Sequence, residues 1–437
     1  MLKLNSFVLI QLRIIFFMWL SCHIALSQEK PNIILIMADD LGYETLSVNG
    51  GSSYSTPNLD QLALGGMRFD QCYATPLCTP SRVQIMTGKY NNRNYIGFGL
   101  LDPSEKTFGH YLQDAGYENL VVGKWQLLGN SVQQKLAGNR AGTTPEKAGF
   151  DDYCLWQINT LGSRYKDPTL SSKEGGVETH TGKYGPDIFV EKIFTFIEKN
   201  KNDPFFIYYP MVLAHDPFVP TPSNPEFLNF DAKSGTNDPK YFGEMVAYMD
   251  HIVGKLVQKV DDMGIRENTL ILFVGDNGTD RDVASRFKGS LVQGKKGYTT
   301  NAGTHVPLIA NWPRKIAAGM VNKNLIDFTD FLPTLLQVAN VKEKKSMALD
   351  GVSFYPQLLG DNSDIREWVF CHYDPNWGKF KPQSYVQNKK WKLYDNGDFF
   401  NLEQDKLEKN PIDISSVTRE IDAIVDKFKN VLNTYNK

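Results

Sequence analysis

Four short apolar runs constrain the fold more than any other feature of this chain: "NIILIMADD" (32–40), "ENLVVGKW" (118–125), "PFFIYYPMVLAHD" (204–216) and "TLILFVGDNG" (269–278). Each carries a continuous β-branched or aromatic stretch, the pattern of a strand buried on both faces, and each stops at polar residues. Helical patterns lie between them. "TPNLDQLALGG" offers Thr56 as an N-cap and Pro57 at the first helical position, "TFGHYLQDAG" closes on Gly116, and "PKYFGEMVAYMDHIVGKLVQKVDDMG" closes on Gly264. Strands alternating with helices predict an α/β fold, a large mixed, mostly parallel sheet with helices on both faces. Sites in such sheets form outside the carboxyl ends of the strands. Asp39, Asp40, Lys124, His215, Asp276 and Asn277 all fall at those ends, so groups distant in sequence are expected to meet on one edge. "THVPLIANWP" (304–313) supplies a fifth strand, just after the loop "GSLVQGKKGYTTNAG" (289–303).

Beyond about residue 345 the texture changes. "EWVFCHY", "SYVQN" and "KWKLYDNGDFFNL" are short runs separated by turn residues, and an amphipathic stretch from Thr418 to Tyr435 ends the chain. They predict a smaller C-terminal antiparallel sheet with one helix. The expected division is therefore 1–27, 28–345 and 346–437.

The first 27 residues have the form of a cleaved export signal: Lys3 and Arg13 are the only charges, an apolar run follows, and Ala25-Leu26-Ser27 offers small residues for cleavage. The apolar core is shorter than the roughly 20 residues a spanning helix needs, so no stable membrane insertion is expected. The protein is expected to be periplasmic or secreted. Lipid anchoring at Cys22 is a lesser alternative, because Trp19 stands where such sites carry leucine. The segment holds two of the 47 basic residues and none of the 49 acidic ones, so the remainder is acidic and offers no basic nucleic-acid surface. Five cysteines without CxxC or Cys/His spacing exclude a disulfide framework and a zinc site. With Cys78 reserved for chemistry, Cys72, Cys154 and Cys371 allow at most one disulfide.

Asp39, Asp40, Asp276 and Asn277 offer oxygen ligands only, which suit a hard cation, Ca²⁺ or Mg²⁺, rather than zinc. Arg82, Lys124 and Lys296 would add positive charge. A helix predicted to start at Pro80 would point backbone N–H groups at whatever sits beside Cys78, so an anion is expected there. His215 could give a proton to a leaving oxygen. "NGT" at 277–279 matches a glycosylation sequon, but its position at a strand end argues for a site instead.

"CTPSR" at 78–82, followed by "VQIMTG", resembles the signature of the type I sulfatases of the alkaline phosphatase superfamily. The resemblance runs in order through "PNIILIMADDLGY", "GKW" (123–125), "GDNG" and "GKKGYTTNAGTHVPLI", covering about 32 to 313. It implies that Cys78 is oxidised to formylglycine by a formylglycine-generating enzyme, a transient partner, and that an oxygen of the hydrated aldehyde attacks sulfur. It implies one calcium ion held by Asp39, Asp40, Asp276 and Asn277, with modified Cys78 touching it. Arg82 would steady the nucleophile, Lys124 and Lys296 would bind sulfate, and His215 would stand beside the leaving oxygen. Two departures stand out. Gln126 replaces the histidine of a Gly-Lys-Trp-His pattern, and an amide cannot act as that base. Asn301 replaces the glutamate of a Glu-Gly-Gly pattern, removing a carboxylate near Lys296.

The expected function is thus an exported, calcium-dependent sulfatase acting on a sulfated carbohydrate, a polysaccharide-degrading hydrolase. Gln126, His180, His372 and Trp377 are candidates for the substrate rim. The alternatives are a phosphonate or phosphodiester hydrolase on the same scaffold, and a catalytically impaired protein that binds sulfated glycans.

Overall fold

The computed structural model describes residues 30–436 except 157, 159–161, 362, 364 and 365. The export segment expected over 1–27, with Cys22, lies outside the described residues. Among those described, no helix is long and apolar enough to cross a membrane.

The strands in chain order are β1 (Asn32–Ala38), β2 (Met67–Tyr73), β3 (Glu118–Lys124), β4 (Asp152–Trp156), β5 (Thr169–Ser172), β6 (Gly176–Thr179), β7 (Phe205–Pro210), β8 (Thr269–Gly275), β9 (Ala284–Phe287), β10 (Ser290–Gln293), β11 (His305–Asn311), β12 (Met320–Asn322) and β13 (Ile326–Asp327). All except the β9–β10 hairpin form one sheet, in the order β12-β2-β11-β8-β1-β7-β3-β4-β5-β6, with β13 also on β2. The centre from β8 to β4 is parallel, while β11, β5 and β6 run antiparallel to their neighbours. Ile34 of β1 is in register with Ile207 on one side and Ile271 on the other. The five runs read as strands in the sequence are β1, β3, β7, β8 and β11.

The major helices are α1 (Pro57–Leu64), α2 (Cys78–Thr87), α3 (Phe108–Asp114), α4 (Gly185–Asn200), α5 (Phe242–Asp262), α6 (Phe331–Val338) and α7 (Arg419–Tyr435). Strand alternation sorts them. Ile34 and Ile36 face a core shared with α1, α4 and α5 through Leu59, Ile193 and Met249. Ile33, Leu35 and Met37 face a second core shared with α2, α3 and α6 through Val83, Leu112 and Leu335. Both faces of β1 are therefore dry, which is why its sequence is apolar without alternation.

Four antiparallel strands, β14 (Val369–Tyr373), β15 (Gln383–Gln387), β16 (Trp391–Tyr394) and β17 (Phe399–Asn401), form the separate C-terminal sheet. α7 covers one face, packing Val425 and Phe428 against Phe370, Val386 and Leu393. The other face turns Cys371, Tyr373, Tyr385 and Tyr394 toward Leu77 and Cys78. Phe354 and Leu358, beyond the division expected at 345, still pack in the second main core.

Two expectations change. α2 begins at Cys78 rather than Pro80, with Leu77 as its extended N-cap residue. The loop expected over 289–303 contains β10, paired with β9, and a short helical turn at Asn301–Thr304. The thiols of Cys72, Cys154 and Cys371 are free and buried. β2 and β4 lie six strand steps apart, about 29 Å, and Cys371 belongs to the other sheet.

His305 opens β11 between two tyrosine rings, stacked on Tyr43 at 4.1 Å and on Tyr73 at 5.1 Å, with Nε2 donating to the Asp70 carbonyl at 3.0 Å. Burial pushes its imidazole down to about 4. A histidine depressed in the fold contributes stability that is whole above its unfolded value, near 6.5, and is lost as pH falls toward the folded one. His305→Gln is expected to lose about 2 kcal/mol less than the parent between pH 7.5 and 5 in urea unfolding. Parallel losses in the two proteins would refute this.

Candidate active site

β8, β1, β7 and β3 are adjacent and parallel, so their carboxyl ends lie within about 15 Å of one another. Asp39 and Asp40 follow β1 directly, Asp276 and Asn277 follow β8, Lys124 ends β3, and His215 lies five residues past β7. Asp40 adopts a left-handed conformation with φ 59°, and its amide donates to Asp276 Oδ1 at 2.9 Å. Asn277 Nδ2 donates to Asp40 Oδ1 at 2.8 Å. Ligand atoms of Asp39, Asp276 and Cys78 all lie within 4.8 Å of one another.

The electrostatics of this cluster are those of a cation site. Burial and the neighbouring Asp39 and Asp40 carboxylates push Asp276 well above the usual carboxylate range. Burial also opposes ionisation of Asp39, but Lys124, His215 and Lys296 outweigh it and hold that carboxyl low. Asn277, 0% exposed, spends its Nδ2 on Asp40 and Gly278 and leaves Oδ1 without a partner among the described residues. Three buried carboxylates and an orphaned amide oxygen fit a hard cation, which would supply the charge they lack. The same burial rules out a glycan on Asn277.

Cations frame the cluster. Lys124 Nζ reaches Asp39 at 2.8 and 3.1 Å. Arg82, 1% exposed on α2, donates Nη2 to the Lys124 carbonyl at 2.6 Å, while its Nε and Nη1 have no hydrogen-bond partner among the described residues. Lys296 Nζ lies 2.5 Å from Asp40 Oδ2, 3.1 Å from His215 Nε2, and 3.6 and 3.7 Å from Asp216 and Asp280. Burial opposes its charge, yet Asp40, Asp216 and Asp39 raise its ammonium above the ordinary range. His215 Nδ1 is 2.6 Å from the Asp216 carbonyl and 2.9 Å from its carboxylate. Cys78 stands at the first position of α2 with Sγ 3.9 Å from Gln126 Oε1. Burial raises its thiol, so an unmodified Cys78 would be a neutral, weak nucleophile.

The structure thus brings together Asp39, Asp40, Cys78, Arg82, Lys124, Gln126, His215, Asp276, Asn277 and Lys296. His180 follows β6 at the outer edge of the sheet, its backbone paired with Pro168 and Lys183. His372 bonds Ser384 across β15, on the opposite face of β14 from Cys371 and Tyr373. Trp377 stacks on Phe98 at 4.7 Å, against the apolar cluster that includes Cys78. The backbone amide of Asn301 donates to Glu408 at 2.8 Å, a carboxylate from the C-terminal region.

Sequence patterns give no notice of Asp216, Asp280 or Arg164. Arg164 lies between β4 and β5, its guanidinium 3.9 Å over the Trp156 ring, with Nη1 buried and unpartnered among the described residues. The next residue, Tyr165, donates its hydroxyl to the Val212 carbonyl at 2.7 Å and to the His215 carbonyl at 2.5 Å, which packs this loop against the His215 segment. A lone arginine in a loop has no spacing to betray it.

Comparison with known proteins agrees with this arrangement. The sulfatase family model matches residues 31–341, and a model of the C-terminal part of N-sulphoglucosamine sulphohydrolase matches 295–437. Mouse N-acetylgalactosamine-6-sulfatase is 29% identical over 423 residues, covering 85% of this chain and 75% of that protein. Human arylsulfatase A is 32% identical over 379 residues, covering 79% and 71%. The crystal structure of Ps i-CgsB in complex with k-i-k-neocarrahexaose superposes with a TM-score of 0.75 at 26% identity, covering 93% of each chain. The chain therefore belongs to the sulfatase family of the alkaline phosphatase superfamily, and it is a sulfuric ester hydrolase.

Proposed function

We propose that this sulfatase is exported, removes sulfate from a sulfated carbohydrate, and works with one calcium ion and a formylglycine made from Cys78. The observation that carries the reading is the buried cluster in which residue 78, two strand-tip carboxylates and an orphaned amide oxygen converge. The "CTPSR" motif and the export-type N-terminus support the modification and the location. The carbohydrate class is supported by the similarity to N-acetylgalactosamine-6-sulfatase and to a structure holding a neocarrahexaose.

Asp39, Asp40, Asp276 and Asn277 would hold calcium, which when bound supplies Lewis-acid stabilisation of the charge on the transferring sulfate. Formylglycine supplies the oxygen nucleophile that a buried thiol cannot. Lys124 and Lys296 bind sulfate oxygens as point charges, and the two free nitrogens of Arg82 hold residue 78 in place. His215, oriented through Nδ1 by Asp216, delivers a proton from Nε2 to the leaving alcohol oxygen. Gln126 Oε1 accepts a hydrogen bond from residue 78 and orients it without taking its proton. Arg164 adds a guanidinium to the sulfate pocket.

Protein made in a host with formylglycine-generating activity should give a tryptic peptide from Phe69 to Arg82 with the mass of the aldehyde or its hydrate; an intact thiol there would sink the reading. Asp276→Asn should release the bound calcium ion, measured as metal per chain, and lower aryl sulfate turnover at least about a hundredfold. Unchanged calcium stoichiometry would move the metal elsewhere. Arg164→Leu should lower kcat/KM about ten- to a hundredfold, with partial recovery in Arg164→Lys; equal losses in both would make the residue a packing group only.

A further inference from the structure

Beside the Lys296 loop the molecule carries a second concentration of positive charge that the chemistry above does not use. A cavity of about 340 Å³ opens between residues 297–299 and the segment linking β14 to β15, lined by Tyr298, Tyr373, Lys379, Phe380 and Lys381. Its volume suits one sugar-sized group. Lys379 and Lys381 are exposed, and Tyr298 keeps 44% of its surface free. Lys295 places its ammonium 5.7 Å over the Tyr298 ring, and Arg281 its guanidinium 5.6 Å over Phe380.

None of these four cations pairs with a carboxylate among the described residues. The chain as a whole carries a net charge of −2, so this group is a local excess of positive charge. Like charges held together without counter-charge repel, and a protein that keeps them around two aromatic faces gains most when an anionic sugar neutralises them.

The cavity adjoins the loop that carries Lys296. Gly297 follows Lys296 directly, and the Tyr373 hydroxyl donates to its carbonyl at 3.0 Å. Gly297 has φ +85°, and a Cβ there would come within 2.1 Å of the Phe380 ring, so the two loops can meet only at glycine. Tyr373 and Phe380 line the cavity and also pack in the cluster that contains Cys78.

We propose that this cavity is a second anion-binding subsite, taking a sulfate or carboxylate on the sugar next to the one that loses its sulfate. The proposal rests on the carbohydrate reading above and narrows it to polyanionic glycans. Lysine ammoniums act as point charges, so the subsite selects for negative charge more than for the shape of either group.

The test uses the full chain, with Lys379→Ala/Lys381→Ala and the reversal Lys379→Glu/Lys381→Glu. The substrates are sulfated oligosaccharides whose neighbouring ring carries a sulfate, a carboxylate or no charge. The preference in kcat/KM for the charged neighbours should fall about ten- to a hundredfold in the alanine pair and further in the reversal, and should weaken with added salt in the parent. A preference for only one of the two charged rings would name the anion. An unchanged preference would overturn the subsite. Affinities of the same oligosaccharides for Cys78→Ala protein, with and without the lysine changes, read the subsite independently of turnover. Loss of hydrolysis in the parent with that binding pattern intact would fault the catalytic reading alone. Equal affinity for charged and uncharged neighbours would fault the subsite.

Discussion

Three carboxylates buried at the tips of two adjacent parallel strands are the constraint on which the rest of this molecule depends. Asp39, Asp40 and Asp276 have at most 2% of their surface exposed, and burial of like charge at that density is unfavourable without compensation. The compensation comes from every direction. Lys124 arrives from β3, Lys296 from the loop before β11, and a cation would complete the set. Each provider occupies a separate stretch of chain, so the site assembles only when the sheet order does.

The C-terminal sheet belongs to this balance. The loop that carries Lys296 is held from two sides: the catalytic core takes the Lys296 amide on the Thr279 carbonyl at 3.1 Å and the Gly297 amide on the Pro76 carbonyl at 2.8 Å, and the C-terminal sheet takes the residues that follow. Lys392 and Glu408, 0% and 1% exposed, form an ion pair that grips it: Lys392 donates to the Thr299 carbonyl at 2.5 Å and Glu408 accepts from the Asn301 amide at 2.8 Å. Thr299 Oγ1 donates to Gln383, and Tyr373 reaches Gly297. The glutamate expected at 301 is thus absent from the loop, while a carboxylate from another part of the chain meets the backbone there. The carboxylates around the Lys296 ammonium are instead those of Asp40, Asp216 and Asp280.

Much of this was legible in residues. The central strands announce themselves because both faces are dry, and their polar ends point to the site edge. β2 and β4 escape the same test. Met67–Tyr73 alternates buried and half-buried positions, with Arg68 and Asp70 paired to each other on its wetter side, so no continuous apolar run marks it. The β9–β10 hairpin is largely exposed and has no core face to print a pattern. The start of α2 was displaced by two residues because Pro80 is a strong first-turn signal, whereas extended Leu77 caps the helix without a side-chain hydrogen bond.

Sequence by itself determined the chemistry available: a cysteine in its modification motif, oxygen-rich strand ends, lysines and a histidine in an order shared with a known family, because each feature depends on residue type and local spacing. Only the tertiary structure decided which charges neutralise which, that His372 turns away from Cys78, that the loop carrying Arg164 packs against the His215 segment, and that four cations without a carboxylate partner among the described residues gather beside the Lys296 loop. Those outcomes depend on strand order and loop packing across more than a hundred residues, and no local pattern encodes a distance of that kind.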